Sequence, residues 1–412
     1  MTDLASDVVI RIQPRGSHHL LSFERMYDRQ ITEIALRSLT ERASMLRHRI
    51  PSLLDPLRDH IGIVEMELDS HEAMRAIAHL DRLAYGFLEI LLEDSGQMAS
   101  DVISKLHDFL MPVFLTAAHG EYPIFEVEGS QADQIAWQLP LEFLPIAPVL
   151  GPSQSVRDQL DRFLGFRAEI IRLMRGGPSS LRRGAAGSPE VHLFAHIGRS
   201  TPPGIAHQIA FLQEVVGVKK WWPGSTPIRD AFEGAADLAG ELVSIFSRVN
   251  SAEVAAIVHF SCHYRASGAT PNGSINTEPA LDFGECVDGS DLLIRVFDLR
   301  AEFARQRQTA TQPVPMFVFL NACQTASANR SSDGLLAFFQ RNGVSAVIGT
   351  ETWLPDRLAA QFAINLYTSL FRGQRLGRAT VEARRRLLER FRNPVGLFYT
   401  LLGNPLIQAK GI

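Results

Sequence analysis

Lysine is almost missing from this chain of 412 residues: Lys105, Lys219, Lys220 and Lys410 are the only ones, and arginine supplies the rest of the 41 basic residues. Against 45 acidic residues the net charge is −4, and the arginines are dispersed. That excludes the dense positive footprint of a nucleic-acid-binding domain. Cysteine is scarce as well, with only Cys262, Cys286 and Cys323. An odd number scattered through a long chain is no disulfide framework and fits a reducing compartment, where each thiol is available for work. Long apolar runs are lacking: the longest, Phe109 to Ala118, is far short of the roughly 18–20 residues of a spanning helix, and Pro112 interrupts it. No membrane partner is expected. Met1 to Ile10 carries Asp3 and Asp7 with neither a basic start nor an apolar core, so the expectation is a cytoplasmic protein without a secretory signal. No phosphate-cradling glycine loop is written anywhere, which leaves a nucleotide cofactor without support. There is no repeat with a period of 20–50 residues.

What is present is an ordinary globular composition, 46% hydrophobic and 21% charged, in a chain long enough for two or three domains. Apolar residues spaced by three and four predict helices from Ile31 to Ile50, from about His71 to Glu93 (Ala73, Ile77, Leu80, Ala84, Phe87, Leu91) and from Asp101 to Leu110. The second of these begins His71-Glu72 like a zinc-protease helix, but Arg75 stands where the second ligand belongs. Short strands are expected at Pro123 to Val127 and Ile135 to Leu144, then a helix from Ser155 to Met174. The stretch RGGPSSLRRGAAGSPE from Arg175 to Glu190 has the composition of an exposed linker. The expected domains are therefore a helical extension over 1–70, an N-terminal half over 71–175, a linker over 176–190 and a C-terminal half over 191–412.

In the C-terminal half, strand-like runs at Val191–Ile197, Val254–Phe260, Pro315–Asn321 and Val344–Thr350 alternate with helical patterns at about Pro203–Val216, Arg229–Val249, Asp291–Gln306, Ser332–Asn342 and Pro355–Phe371. Nearly continuous apolar strands separated by helices imply an α/β fold, an open parallel sheet with helices on both faces. Functional groups gather at the carboxyl ends of such strands. One run leads into Ser261-Cys262-His263 and another into Asn321-Ala322-Cys323. If these strands are neighbours, His263 and Cys323 meet at one sheet edge. A histidine or a helix N-terminus makes a thiol a working nucleophile, His263 can protonate a leaving amine, and the small polar residues Gln324 to Ser327 suit a turn whose N–H groups face an oxyanion. A cysteine at a strand end is also commonly a small buried hydrophobe.

These residues resemble a known family. VHFSCHY and FVFLNACQTA, about sixty residues apart, look like the CHAT domain, a relative of caspases and separases in the caspase-hemoglobinase fold. QLPLEFLPI at Gln138 to Ile146, the long stretch from DGLLAFFQ to TVEARR, and FYTLLGNP at Phe398 to Pro405 also resemble the family's segments, so the resemblance runs from about Ala73 to the C-terminus. It implies a caspase-like sheet in two halves, a degenerate N-terminal one and a catalytic C-terminal one. It implies His263 as general acid/base and Cys323 as nucleophile on a peptide carbonyl. The oxyanion would be held by the backbone N–H groups of Cys323 and of the residue after the histidine, a glycine in most of the family and Tyr264 here. No cofactor is implied. The expected function is a cysteine endopeptidase acting on a protein substrate, in bacterial defence or signalling, under a separate activator or sensor protein docking on the first 70 residues. The replacement by Tyr264 motivates the alternative, a pseudoprotease serving as a binding or scaffold module.

Glu351, Trp353 and Asp356 follow a strand end beside the expected site and are the candidate substrate-binding residues, carboxylates there favouring Arg or Lys at the cleaved position; Asp356 reads more readily as a cap of the helix beginning at Pro355 or Arg357. Cys262 and Cys286 read as packing. His259, Cys262, His263 and Cys286 do not have zinc-module spacing, so no metal is expected.

Overall fold

The computed structural model describes residues 6–16, 18–37, 67–68, 70–93, 95–117, 121–128, 139–149, 155–173, 190–196, 203–216, 220–222, 235–252, 256–265, 268–269, 275–276, 280–285, 291–305, 314–323, 325, 335–405 and 407–409. The chain divides into two compact units, Met1–Ser179 with Leu376–Pro405, and Ser180–Arg375 with Leu406–Ile412. The linker expected over 176–190 lies outside the described residues except for its last one. The division differs from the expected one in giving Leu376–Pro405 to the N-terminal unit.

The first unit opens not with helices but with three antiparallel strands, β1 (Val8–Arg15), β2 (His18–Arg25) and β3 (Ile31–Arg37), paired through Ile10↔Phe23 and Leu21↔Ile34. The helix expected from Ile31 fails over its first seven residues for a visible reason. Thr32, Ile34 and Leu36 are buried while Ile31 and Glu33 are exposed, a period of two that the Ala35/Leu39 spacing had hidden. Its remainder, residues 38–50, lies outside the described residues. Helices α1 (Ser70–Leu92) and α2 (Ala99–Thr116) follow. The stripe Ala73, Ile77, Leu80, Ala84, Phe87 and Leu91 is buried as its spacing requires. β4 (Ile124–Glu128) pairs in parallel with β1, and β5 (Glu169–Leu173) in parallel with β4. The helix expected over Ser155–Met174 breaks into Val156–Leu160 and Leu164–Arg167 before β5, because Glu169 to Leu173 gains a full ladder with β4. Of the strand expected over Ile135–Leu144, residues 135–138 lie outside the described residues and the rest holds a single 3₁₀ turn at Leu141–Phe143, bracketed by Pro140 and Pro145. A helix at Leu376–Phe391 and a strand at Tyr399–Gly403, antiparallel to β5, complete the unit.

The second unit is the α/β sheet expected from the sequence. It contains β6 (Glu190–Ala195), α3 (Pro203–Val216), β7 (Lys220–Trp222), α4 (Ala235–Ala252), β8 (Ala256–Ser261), β9 (His263–Arg265), β10 (Ala280–Glu285), β11 (Asp291–Arg295), α5 (Val296–Arg305), β12 (Val314–Asn321), α6 (Leu335–Arg341), β13 (Val344–Thr350) and α7 (Asp356–Phe371). Five strands run parallel in the order β13-β12-β8-β6-β7. Every residue of β8 is buried, as a strand covered on both faces demands. On one face Phe260 packs with Phe339 of α6, and Phe339 with Phe246 of α4. On the other, His259 stacks on Phe319 at 4.7 Å and meets Tyr367 of α7. The single helix expected over Asp291–Gln306 is a strand, β11, followed by α5. β11 pairs with β10, and β10 with β9, in a separate small antiparallel sheet.

Candidate active site

β8 and β12 are adjacent, parallel and in register up to Ser261↔Asn321. His263 stands two residues beyond Ser261 and Cys323 two residues beyond Asn321, so both chains deliver their candidate residue to the same carboxyl edge of the sheet. His263 is exposed and Cys323 half-buried. The Cys323 thiol points at Leu354 O, 3.9 Å away, just before α7. Burial pushes this thiol above its ordinary range, with the backbone at Leu354 and at Cys323 itself offsetting part of the effect. Cys262, 5% exposed, is driven further the same way by burial, with Asp282 and Cys323 adding to it. That is the behaviour of a packing cysteine. Cys286 lies outside the described residues.

The turn carrying Cys323 is clamped from below. Thr350 Oγ1 donates to Ala322 O at 2.7 Å, Thr325 Oγ1 lies 2.9 Å from the same carbonyl, and Thr350 N donates to Thr325 Oγ1 at 3.1 Å. Asn321 Nδ2 reaches Ala359 O of α7 at 3.3 Å. The strand leading to His263 is fixed by a buried polar chain. Ser261 Oγ donates to Gln208 Oε1 at 2.6 Å, which turns the Gln208 amide nitrogen toward His259 Nε2 at 3.2 Å. Nε2 is then the acceptor, so the His259 proton is on Nδ1, 3.0 Å from Tyr367 Oη. Burial holds His259 neutral, with its pKa lowered to about 3. This histidine ties α3 and α7 to β8 through both ring nitrogens. Among the described residues no group of three or more His, Cys, Asp or Glu is placed to hold a metal.

Around His263, β9 pairs with β10 so that Tyr264 faces Leu281 and His263 faces Asp282. Arg265 Nε donates to Asp282 Oδ2 at 2.6 Å. The imidazole of His196, the residue after β6, meets the His263 ring edge-on with centroids 4.8 Å apart. Of the candidate substrate-binding residues, Glu351 is buried and Trp353 is 42% exposed. Asp356 is the first residue of α7, and its carboxylate accepts from Gly204 N of α3 at 2.8 Å, closing an open N–H at another helix's start rather than capping its own. Sequence reasoning placed Thr325 in the turn without a role for its side chain, and missed Thr350, Gln208, Asp282 and His196. The one signal available was position: Thr350 ends its strand run and His196 is the last residue but one of the first.

The fold and the site define an α/β protein with a thiol and an imidazole at one edge of a parallel sheet. Residues 228–395 match the CHAT domain, and both candidate residues fall inside the match. The resemblance noted in the sequence is thereby borne out over that segment. A protein of Vitiosangium sp. (strain GDMCC 1.1324) described as a probable protease is 30% identical over 146 residues, 35% of this chain. The chain spans 17% of that relative's length. Among solved structures, the Saccharomyces cerevisiae separase–securin complex aligns with 96% of this chain and 30% of its own, at 10% identity and a TM-score of 0.46. The complex of Porphyromonas gingivalis RgpB pro- and mature domains aligns with 76% of this chain and 73% of its own, at 11% identity and a TM-score of 0.36. Among the described residues no helix is long and apolar enough to cross a membrane.

Proposed function

We propose that the chain is a cysteine endopeptidase acting on a protein substrate, with Cys323 as nucleophile and His263 as general acid/base. The observation that carries this reading is the placement of the two residues, each two positions beyond the last registered pair of adjacent parallel strands, inside the segment that matches the CHAT domain. In the proposed reaction His263 takes the thiol proton and the thiolate attacks the peptide carbonyl carbon. The oxyanion is met by the backbone N–H groups of Cys323 and Tyr264. His263 then gives its proton to the leaving amine, and a water that it deprotonates hydrolyses the thioester, restoring the thiol. Because burial raises the resting thiol, proton transfer to His263 on substrate engagement is the step that creates the nucleophile. Glu351, Trp353 and Asp356 are proposed to line the substrate side, where buried carboxylate favours a basic residue at the cleaved bond.

The setting we propose is the cytoplasm, in bacterial defence or signalling, with a separate activator or sensor protein. The test is a comparison of newly formed protein N-termini in cells expressing wild type or Cys323→Ala with their neighbouring proteins. New termini confined to wild type are expected, and identical sets would overturn the reading. One observation favours a pseudoprotease instead: the thiol is engaged with Leu354 O. An electrophilic peptide probe that labels wild type and spares Cys323→Ala decides against that alternative.

A further inference from the structure

The contact between His196 and His263 is not explained by packing alone. The two rings belong to different strands' ends, meet at an interplanar angle of 70° with centroids 4.8 Å apart, and stand beside the edge where Cys323 emerges. His196 is anchored at its backbone, since its N–H donates to Ser261 O at 2.7 Å, which continues the β6–β8 ladder by one residue. Its ring can therefore be aimed reproducibly. Among the described residues its buried Nδ1 has no hydrogen-bond partner outside its own backbone, an arrangement that costs stability and persists where another requirement fixes the ring.

We propose that His196 is a positioning residue for His263, bracing its imidazole edge-on so that it keeps one orientation at the carboxyl edge of the sheet. The inference rests on the reading of His263 as the general acid/base. Two imidazoles this close cannot both carry a proton cheaply, so one of them has to stay neutral. The surroundings select His196 for that part. Burial is the main influence holding its ionisation below the ordinary histidine range, and His263 and Arg265 push the same way, against Asp282 and a hydrogen bond with its own backbone. The charged groups that act on the pair are Asp282 from β10, which sits opposite His263, and Arg265 from β9. Arg265 and Asp282 are paired with each other at 2.6 Å. A neutral His196 ring places no like charge beside His263.

The test is the rate of Cys323 alkylation by iodoacetamide on the full chain from pH 5 to 10. An imidazole that takes the thiol proton gives a reactive limb below the thiol's own ionisation, and His263→Ala should remove it. If wild type lacks that limb, or His263→Ala keeps it, the dyad reading fails and this inference falls with it. If His263→Ala removes the limb, His196 is tested separately. His196→Ala should reduce the low-pH limb about tenfold, while His196→Phe, which keeps an aromatic edge, should stay within about threefold of wild type. A His196→Ala profile matching wild type, or a His196→Phe loss as large as that of alanine, overturns the positioning role. Should the alanine variant not fold, His196→Gln takes its place, with the same loss expected and the same wild-type profile overturning it. A purely structural role would lower the melting temperature and leave the pH profile where it was.

Discussion

His259 occupies the middle of a fully buried strand and makes two hydrogen bonds, to Gln208 and to Tyr367, while stacking on Phe319. Its neutral form is built into the core, and the consequence is a pH dependence with a definite sign. In the folded chain burial lowers its pKa to about 3, whereas an unfolded histidine titrates near about 6.5. Between those values the unfolded state binds the extra proton, so stability is complete above about pH 6.5 and falls as the pH drops toward 3, by up to about 1.4 kcal/mol per pH unit. Urea midpoints measured at intervals from pH 7.5 to 4 should show this decline. In His259→Phe, which starts less stable because Gln208 and Tyr367 lose their partner, the decline should flatten. Parallel declines in the two proteins would assign the acid sensitivity to other groups.

At the scale of the elements, α3 and α7 meet through a close approach of backbone at their first turns. A Cβ on Gly204 would run into the backbone of Asp356 and Arg357, and Gly204 N is the donor to the Asp356 carboxylate. There is no flexible side chain there to yield. Gly204→Ala should therefore destabilise the second unit by about 1–3 kcal/mol, read as a lowered urea midpoint. Unchanged stability would show that the two turns can separate freely. These elements were also the most legible part of the chain. α3 and β13 have the bounds their hydrophobic patterns predict, because strands buried on both faces are written as apolar runs and their crossover helices as amphipathic ones. β3 and β5 were not legible. Their residues also satisfy a helical spacing, and it is pairing with β2 across a short turn and with β4 from far earlier in the chain that makes them strands. The site divides along the same line. Cys323 and His263 were visible because strand ends are visible. Thr325 and Thr350 were not, since what matters about them is a shared carbonyl at Ala322, reached across 28 residues by one and from within the turn by the other.

For the whole molecule, the decisive feature is that the chain leaves its first unit and comes back to it. The acidic residue of QLPLEFLPI, Glu142, takes hydrogen bonds from Arg172 at 2.8 and 2.6 Å, and Arg384, from the returning helix Leu376–Phe391, reaches it at 3.4 Å. All three side chains are sealed from water. Burial alone would raise the Glu142 carboxyl, but Arg172 and then Arg384 hold it below the ordinary carboxylate range. Arg384 also donates to Gly165 O at 2.9 Å and Tyr399 O at 2.5 Å, so one guanidinium joins the middle of the chain to its last strand. Two segments that resemble the CHAT family, far apart in sequence, thus turn out to be the two sides of one buried ion cluster within a single unit. A charge left in such a cluster without its partner costs about 3–5 kcal/mol. Cutting the chain after Arg375 removes Arg384, the Phe391 O that accepts from Leu68 N, and the strand beside β5 together. The truncated protein should lose hydrogen-exchange protection throughout β1, β4 and β5, and Arg384→Ala in the full chain should lower it in the same strands to a smaller degree. Protection in β4 and β5 that survives the truncation would mean that the first 179 residues hold their fold without the returning segment, and that the buried cluster is a consequence of the fold rather than one of its causes.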